Sequence, residues 1–174
     1  MLPCETIILI FNMKKQIFFL SITLFFATKL FSQGEEDDFL VPSGLFINNV
    51  SMLSTKAAVI KNFGNPIKTK KTIGADIYCF DYIYKGLIIK IDQKNKFIGF
   101  DIADSSFILT YKSIKIKVGD PLNVLKKNFP KSYKSYTTDK EKYFRVKFKD
   151  VDSYILFTIK NNKIMRIETW EDDA

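Results

Sequence analysis

The stretch Ser54-Thr55-Lys56-Ala57-Ala58-Val59-Ile60-Lys61-Asn62-Phe63-Gly64-Asn65-Pro66 contains a whole short helix together with its start and stop signals. Ser54 or Thr55 supplies the N-cap, and Ala57, Val59, Ile60 and Phe63 form an apolar face. Gly64 is placed to end the helix in the left-handed conformation, and Pro66 stands just beyond it. The same signature returns, one residue longer, as Val124-Leu125-Lys126-Lys127-Asn128-Phe129. Here Asp120 is the expected cap, Pro121 the first helical residue and Pro130 the stop, with Leu122, Leu125 and Phe129 at i, i+3 and i+7.

Strands surround both signatures. Leu45 to Val50 reads as a strand before the first helix. Ile114, Ile116 and Val118 alternate with Lys115 and Lys117 before the second. After the first helix come Asp76 to Tyr84, Gly86 to Asp92, a polar turn at 93–96, and Phe97 to Ile102. After the second come Tyr143 to Lys149, Ser153 to Lys160, the Asn161-Asn162 turn, and Lys163 to Trp170. The pattern predicts an α+β fold of two tandem β-α-β-β-β repeats, 45–106 and 107–170, with short helices packed on antiparallel sheet. Neither half alone buries a large core, so the two are expected to pack on one another. Ala103 to Tyr111 is read as connector and strand, and Lys131 to Lys142 as an exposed polar loop.

Ahead of the repeats, Met13-Lys14-Lys15 opens an apolar run from Ile17 to Ala27 that exits through Thr28 to Gln33. A basic start, a short apolar run and a polar exit are the parts of an export signal, so residues 1–32 are expected to be a cleaved signal peptide. The competing reading, an uncleaved anchor, is disfavoured by Lys29 and the Ser/Thr content. Residues 1–12 read as an over-extended start. The expected location is the periplasm or the extracellular space.

Losing residues 1–32 removes Lys14, Lys15, Lys29 and Glu5, so the formal charge of +8 becomes about +6. The acids concentrate at the ends. Glu35, Glu36, Asp37 and Asp38 lie in an expected linker at 33–44, and Glu171, Asp172 and Asp173 in an expected acidic tail at 171–174. A basic middle suits an acidic protein partner or an anionic membrane surface or polymer. Nucleic acid is not expected, because Arg145 and Arg166 are the only arginines and phosphate and base readers favour the guanidinium fork.

The helix signatures, each followed by antiparallel strands over most of 45–170, resemble the tandem-repeat folds of the β-lactamase-inhibitor-protein type. They also resemble the small outer-membrane assembly lipoproteins of the SmpA/BamE type. That resemblance implies an exported, non-catalytic protein that presents a sheet surface or loop to a protein partner, as an inhibitor, an immunity protein or an envelope-assembly accessory. The chain departs from both types. Cys79 alone cannot supply the inhibitors' disulfide in each repeat, and no cysteine follows the apolar run where lipidation would need one.

The composition removes much chemistry. With no histidine in the chain, Ser-His-Asp and Cys-His nucleophilic catalysis and imidazole zinc sites are excluded. Glycine occurs singly, without a phosphate-cradling loop, and no metal or cofactor is expected. Cys79 reads as a buried small apolar residue. Asp101 and Asp104 read as a solvated loop, since their spacing lacks a calcium loop's ligands. Asp76, Asp81 and Asp92 would have to converge to act as a hydrolase pair. Gly99, inside a strand, marks a bulge or a close backbone approach.

The positive signal is aromatic. Tyr78, Phe80, Tyr82 and Tyr84 share one face of a strand and Ile77, Cys79 and Ile83 the other. If the cysteine face packs under the helix, the tyrosines form an open stripe; the reverse arrangement buries them between the repeats. The open stripe is the expectation, which puts a binding surface at Tyr78, Tyr82 and Tyr84, with Tyr133 and Tyr136 as a second candidate. Lys85, Lys90 and Lys134 would steer an acidic partner towards them. The export reading predicts that the protein recovered from the envelope fraction begins near Ser32 or Gln33 on N-terminal sequencing. An intact Met1 or Met13 in the cytosol would refute it.

Overall fold

Asparagine turns set the first hairpin. In the computed structural model, which describes residues 38–73, 78–138 and 143–171, strand β1 (Phe39–Leu40) and a 3-10 turn (Pro42–Gly44) lead into β2 (Leu45–Ile47) and β3 (Val50–Ser51). Between the last two, Asn48 and Asn49 take φ of 43° and 74°. Two successive positive φ values make the tight turn that matches strand twist, and asparagine tolerates them. Leu45 to Val50, expected as one strand, is therefore two arms of a hairpin.

Helix α1 (Lys56–Phe63) is capped by Thr55, whose hydroxyl accepts the Ala58 N–H at 3.3 Å. Gly64 closes it at φ 78° and ψ −169°, a region open essentially to glycine alone. A meander follows, of β4 (Lys68–Ile73), β5 (Tyr78–Tyr84), β6 (Leu87–Asp92) and β7 (Phe97–Ile102). β4 has no counterpart in the sequence reading, because all six of its residues are exposed and no burial alternation marks it.

The second half runs in a related order, with two helices in place of one and three strands after them in place of four. A hairpin of β8 (Ile108–Tyr111) and β9 (Ile114–Lys117) precedes α2 (Leu122–Asn128) and α3 (Pro130–Thr138), and then come β10 (Phe144–Phe148), β11 (Ser153–Lys160) and β12 (Lys163–Glu171). Asp120 does not cap α2. Pro121 holds the N-cap position, and Asp120 Oδ2 instead accepts the Lys117 N–H at 2.9 Å, fixing the turn ahead of the helix.

Pro130 stops one helix and starts another, so residues 131–138 of the expected loop are helical. α3 forms because Tyr133 and Tyr136, three apart, both pack on the core, and because its N-terminus is capped from far away in sequence. The backbone N–H groups of Lys131 and Ser132 each donate to Asp38 Oδ2 at 2.8 Å. The expected linker is thus structured from residue 38. Beyond that cap, Phe39 and Leu40 pair in parallel with Lys147 and Phe148, and Leu40 is fully buried. The expected signal peptide, linker residues 33–37, Asp76 and tail residues 172–174 lie outside the described residues.

The strands form two sheets, an eight-stranded one in the order β1-β10-β11-β12-β7-β6-β5-β4 and a four-stranded one in the order β3-β2-β8-β9. A single apolar cluster joins them. The large sheet contributes alternate residues such as Phe100, Ile102, Phe144, Val146, Phe157 and Ile167; the small sheet adds Leu45, Ile47, Leu109 and Ile116; the helices add Val59, Leu125 and Phe129. One side of each large-sheet strand enters this core, with the parity changing where the register shifts beside Ile91 and Ile159, so the helices and the small sheet cover one face of the large sheet. The architecture is α+β, with short helices on sheet that is antiparallel except for the β1–β10 pair.

The remote cap yields a direct test. Asp38→Ala is expected to lower stability by about 1 kcal/mol, the usual cost of losing an N-cap. Denaturant midpoints should show that loss, with Asp38→Asn retaining part of it.

Candidate functional site

The residues on the other side of these strands define a face that, among the described residues, neither helix nor small sheet covers. Cross-strand register lays it out in rows. One row runs Phe39, Lys147, Tyr154, Trp170 across β1, β10, β11 and β12. The next runs Arg145, Leu156, Glu168, Asp101, Ile88, Ile83, Lys68 across β10, β11, β12, β7, β6, β5 and β4. Gly99, Lys90, Asp81 and Lys70 continue the open face towards β4. Trp170 is 52% exposed and Phe39 39%, and the cationic groups of Arg145 and Lys147 lie 5.7 and 5.9 Å from the centre of the Tyr154 ring between them. Leu156 is buried, yet it stands apart from the main apolar cluster.

At the centre of the face, Arg166 grips Asp101 with both arms of its fork. Nε donates to Oδ1 at 2.7 Å and Nη2 donates to Oδ2. Glu168 lies beside them, its Oε2 3.6 Å from the same Nη2. The hydrogen bond to Asp101 holds the Arg166 guanidinium even more firmly charged than usual. Burial pushes the Glu168 carboxyl above its ordinary range and Asp101 adds to that, while Arg166 and Lys90 pull the other way. Both Asp101 oxygens being engaged, the cluster presents a half-exposed guanidinium edge and a single carboxylate to solvent.

Gly99 is required here. A Cβ on it would come within 2.6 Å of Thr169 Oγ1, the atom that accepts the Phe100 N–H at 2.9 Å. Both readings of this glycine hold, because the β6–β7 register also shifts beside it, between Lys90 and Ile91.

The other acids each serve a local turn or strand contact. Asp92 Oδ1 accepts the N–H groups of Lys94 and Lys96, and Asp104 Oδ1 that of Ser106, a bond that lowers the Asp104 pKa. Asp81 Oδ2 accepts the Thr72 hydroxyl at 2.8 Å. Cys79 is half-buried and has the parity of the uncovered face, not of the core as expected. Among the described residues no three His, Cys, Asp or Glu side chains gather as metal ligands.

The tyrosine stripe faces the other way. Tyr82 is 6% exposed and belongs to the core. The Tyr84 ring lies 5.8 Å from that of Phe63, and its hydroxyl donates to the Gly64 carbonyl at 3.2 Å, closing α1 onto the sheet. Tyr78 is half-buried, edge-on to Phe80, with Lys71 Nζ 4.0 Å from its ring centre. Tyr133 and Tyr136 also pack on the core, Tyr136 against Phe144. These five residues do not come together as an exposed surface, which corrects the expectation of an open stripe.

The period of two gives the parity of the stripe, and the pairing with β6 places it on the covered side. The tight Lys85-Gly86 turn pairs Tyr84 with Leu87, and hence Tyr82 with Ile89 and Phe80 with Ile91. Leu87, Ile89 and Ile91 alternate with Ile88, Lys90 and Asp92, so the charged parity of β6 already marked the uncovered side. The same logic applied to Thr158, Arg166 and Glu168 would have located the Arg166 cluster.

No family model and no curated protein matches the chain. Among solved structures, an extracellular protein from Bacillus anthracis containing a SCP domain aligns at a TM-score of 0.38 and 7% identity. The alignment covers 80% of this chain and 48% of that one, so the chain spans about half of that protein's length.

The Glu168 carboxyl leads to a pH prediction with a definite sign. Its folded pKa lies above the unfolded one, so ionisation costs stability as pH rises through that window. Glu168→Gln is expected to show a higher Tm than the parent at neutral pH, and the gap should close as pH falls below the carboxylate range. A variant less stable at every pH would mean that the attraction of Arg166 outweighs burial.

Proposed function

We propose that the chain is an exported, non-catalytic module that holds a protein partner against the uncovered face of its large sheet, in the manner of an inhibitor, immunity or envelope-assembly protein. The observation that carries this reading is the exposure of Trp170 and Phe39 on either side of Tyr154, on a sheet face that no element among the described residues covers. Aromatic and arginine side chains supply most interface hot spots, and both arginines of the chain stand on this face. The formal charge of about +6 without residues 1–32 favours an acidic partner through faster encounter.

A second reading, binding of an anionic membrane surface or polymer, is favoured by one feature. Residues 121–138, which include α2 and α3, contain Lys126, Lys127, Lys131 and Lys134 and no acid. Retention on anionic vesicles or polymer that vanishes at moderate salt would support it over a protein partner.

The first reading is tested by crosslinking the mature protein to its neighbours in the envelope and measuring the affinity of the pair. Trp170→Ala combined with Phe39→Ala is expected to weaken Kd by about tenfold or more, about 1.4 kcal/mol, while Tm stays close to the parent because both rings are substantially exposed. Unchanged affinity in a folded double variant would overturn the assignment of the face.

A further inference from the structure

The two ends of the large sheet are finished differently. At one end β1 is two residues long. At the other, β4 is six residues long and pairs only with β5, in unbroken register from Lys68↔Ile83 to Ile73↔Tyr78. Proteins blunt such edges with shortness, proline, bulges or charge, because the outer N–H and C=O groups otherwise recruit another strand. β4 has no proline and no bulge. What it has is lysine.

Its side chains sort into two rows. Lys68, Lys70 and Thr72 fall on the uncovered face of the sheet, and Thr69, Lys71 and Ile73 on the other, where Ile67 joins them by alternation. The strand overhangs the covering layer, so both rows are wet. Ile67 and Ile73, 76% and 77% exposed, bracket the edge and are more exposed than any other large apolar side chain among the described residues. Lys71 is drawn over the Tyr78 ring, while no ion pair among the described residues involves Lys68 or Lys70.

Those lysines select between occupants. Two copies pairing β4 to β4 about a two-fold axis would set lysine against lysine in every register centred on Lys68, Thr69, Lys70 or Lys71. An acidic strand meets the reverse, since carboxylates at alternate positions would lie beside Lys68 and Lys70. Apolar side chains on its other row would cover Ile67 and Ile73.

We propose that the β4 edge accepts an extended segment of a partner protein as a further strand, one that alternates acidic and apolar residues. Backbone hydrogen bonds supply the pairing, and the two rows supply the selectivity. The backbone groups of this edge are separate from the aromatic contact around Trp170, although Lys68 and Lys70 border both, and the two contacts are tested separately.

The probe is a short peptide of alternating glutamate and valine, titrated into the mature chain. Amide hydrogen exchange should slow at Lys68–Ile73 and not elsewhere on the sheet. Methylating the peptide's alternate backbone nitrogens should abolish binding in one phase and spare it in the other, because only one row of its amides faces the edge. Lys68→Glu combined with Lys70→Glu should weaken the acidic peptide at least about tenfold and confer binding of the lysine–valine counterpart; both side chains are exposed, and a denaturant midpoint checks that the fold survives a glutamate opposite Asp81. Absence of protection at β4 at saturating peptide overturns the proposal, as does equal binding of both methylated phases. A β4-to-β4 dimer of the parent also overturns it, whereas loss of binding in the Trp170 variant with β4 protection intact bears on the face alone.

Discussion

The two halves of the large sheet are joined through very little backbone. β12 and β7 share only the register pairs Ile167↔Ile102 and Glu168↔Asp101. Side chains complete the seam. On the uncovered side Arg166 of β12 clasps Asp101 of β7, and past the last pair the Thr169 hydroxyl accepts the Phe100 N–H and donates to the Phe100 carbonyl. On the covered side Ile102 and Ile167 are fully buried against each other's neighbours. An exposed ion pair is usually worth about 1 kcal/mol or less. This one is two-pronged and its carboxylate is only 13% exposed, which makes it stronger than a solvent-side pair. The whole face depends on this seam, because it fixes how the aromatic half on β11 and β12 stands relative to the lysine-bearing half on β4 to β6.

The seam also explains the state of Glu168. Its carboxylate is held near Asp101 by the register and is partly withdrawn from water, and the nearest cation already has both its bonds to Asp101. A carboxylate so placed is tolerated because the strand pairing puts it there, at some expense in stability above its pKa. The central charges therefore have a structural role, and the groups with the least structural commitment are the rim aromatics, Trp170 and Phe39. Those are the side chains that the proposed partner contact would use.

The fold class was legible because both helices announce their own ends, through Thr55 and Gly64 in one half and Pro121 and Pro130 in the other. What could not be read was anything set by a distant residue. Asp38 caps α3 from the far end of the chain, and without that cap the Lys-, Ser- and Thr-rich segment 131–138 carries no helix signal of its own. β4 lacks a burial pattern because it is wet on both sides, so periodicity had nothing to register. The tyrosine parity followed from the period of two, but the choice of side required linking it to β6 through the Lys85-Gly86 turn. Alternation within one strand defines two faces and says nothing about which is covered; only the pairing of a charged parity with its neighbours decides that.

The proposed face and the proposed edge would ask different things of a partner. The face offers aromatic rings and a fixed guanidinium, so a folded surface of complementary shape can dock there with its backbone already satisfied. The edge offers backbone groups, so it can be used only by a segment whose own backbone is unpaired and extended, which means a strand edge or an unstructured chain. The lysines on β4 act on both at once. They disfavour a second copy at the edge, and together with Lys90 they place positive charge on the side of the face away from Trp170. A partner combining a folded domain with an acidic extended segment would match both surfaces, and its two contacts would reinforce one another through the high effective concentration that follows from covalent linkage. Neither contact would then need to be tight by itself, which suits a face of modest aromatic content and an edge only six residues long.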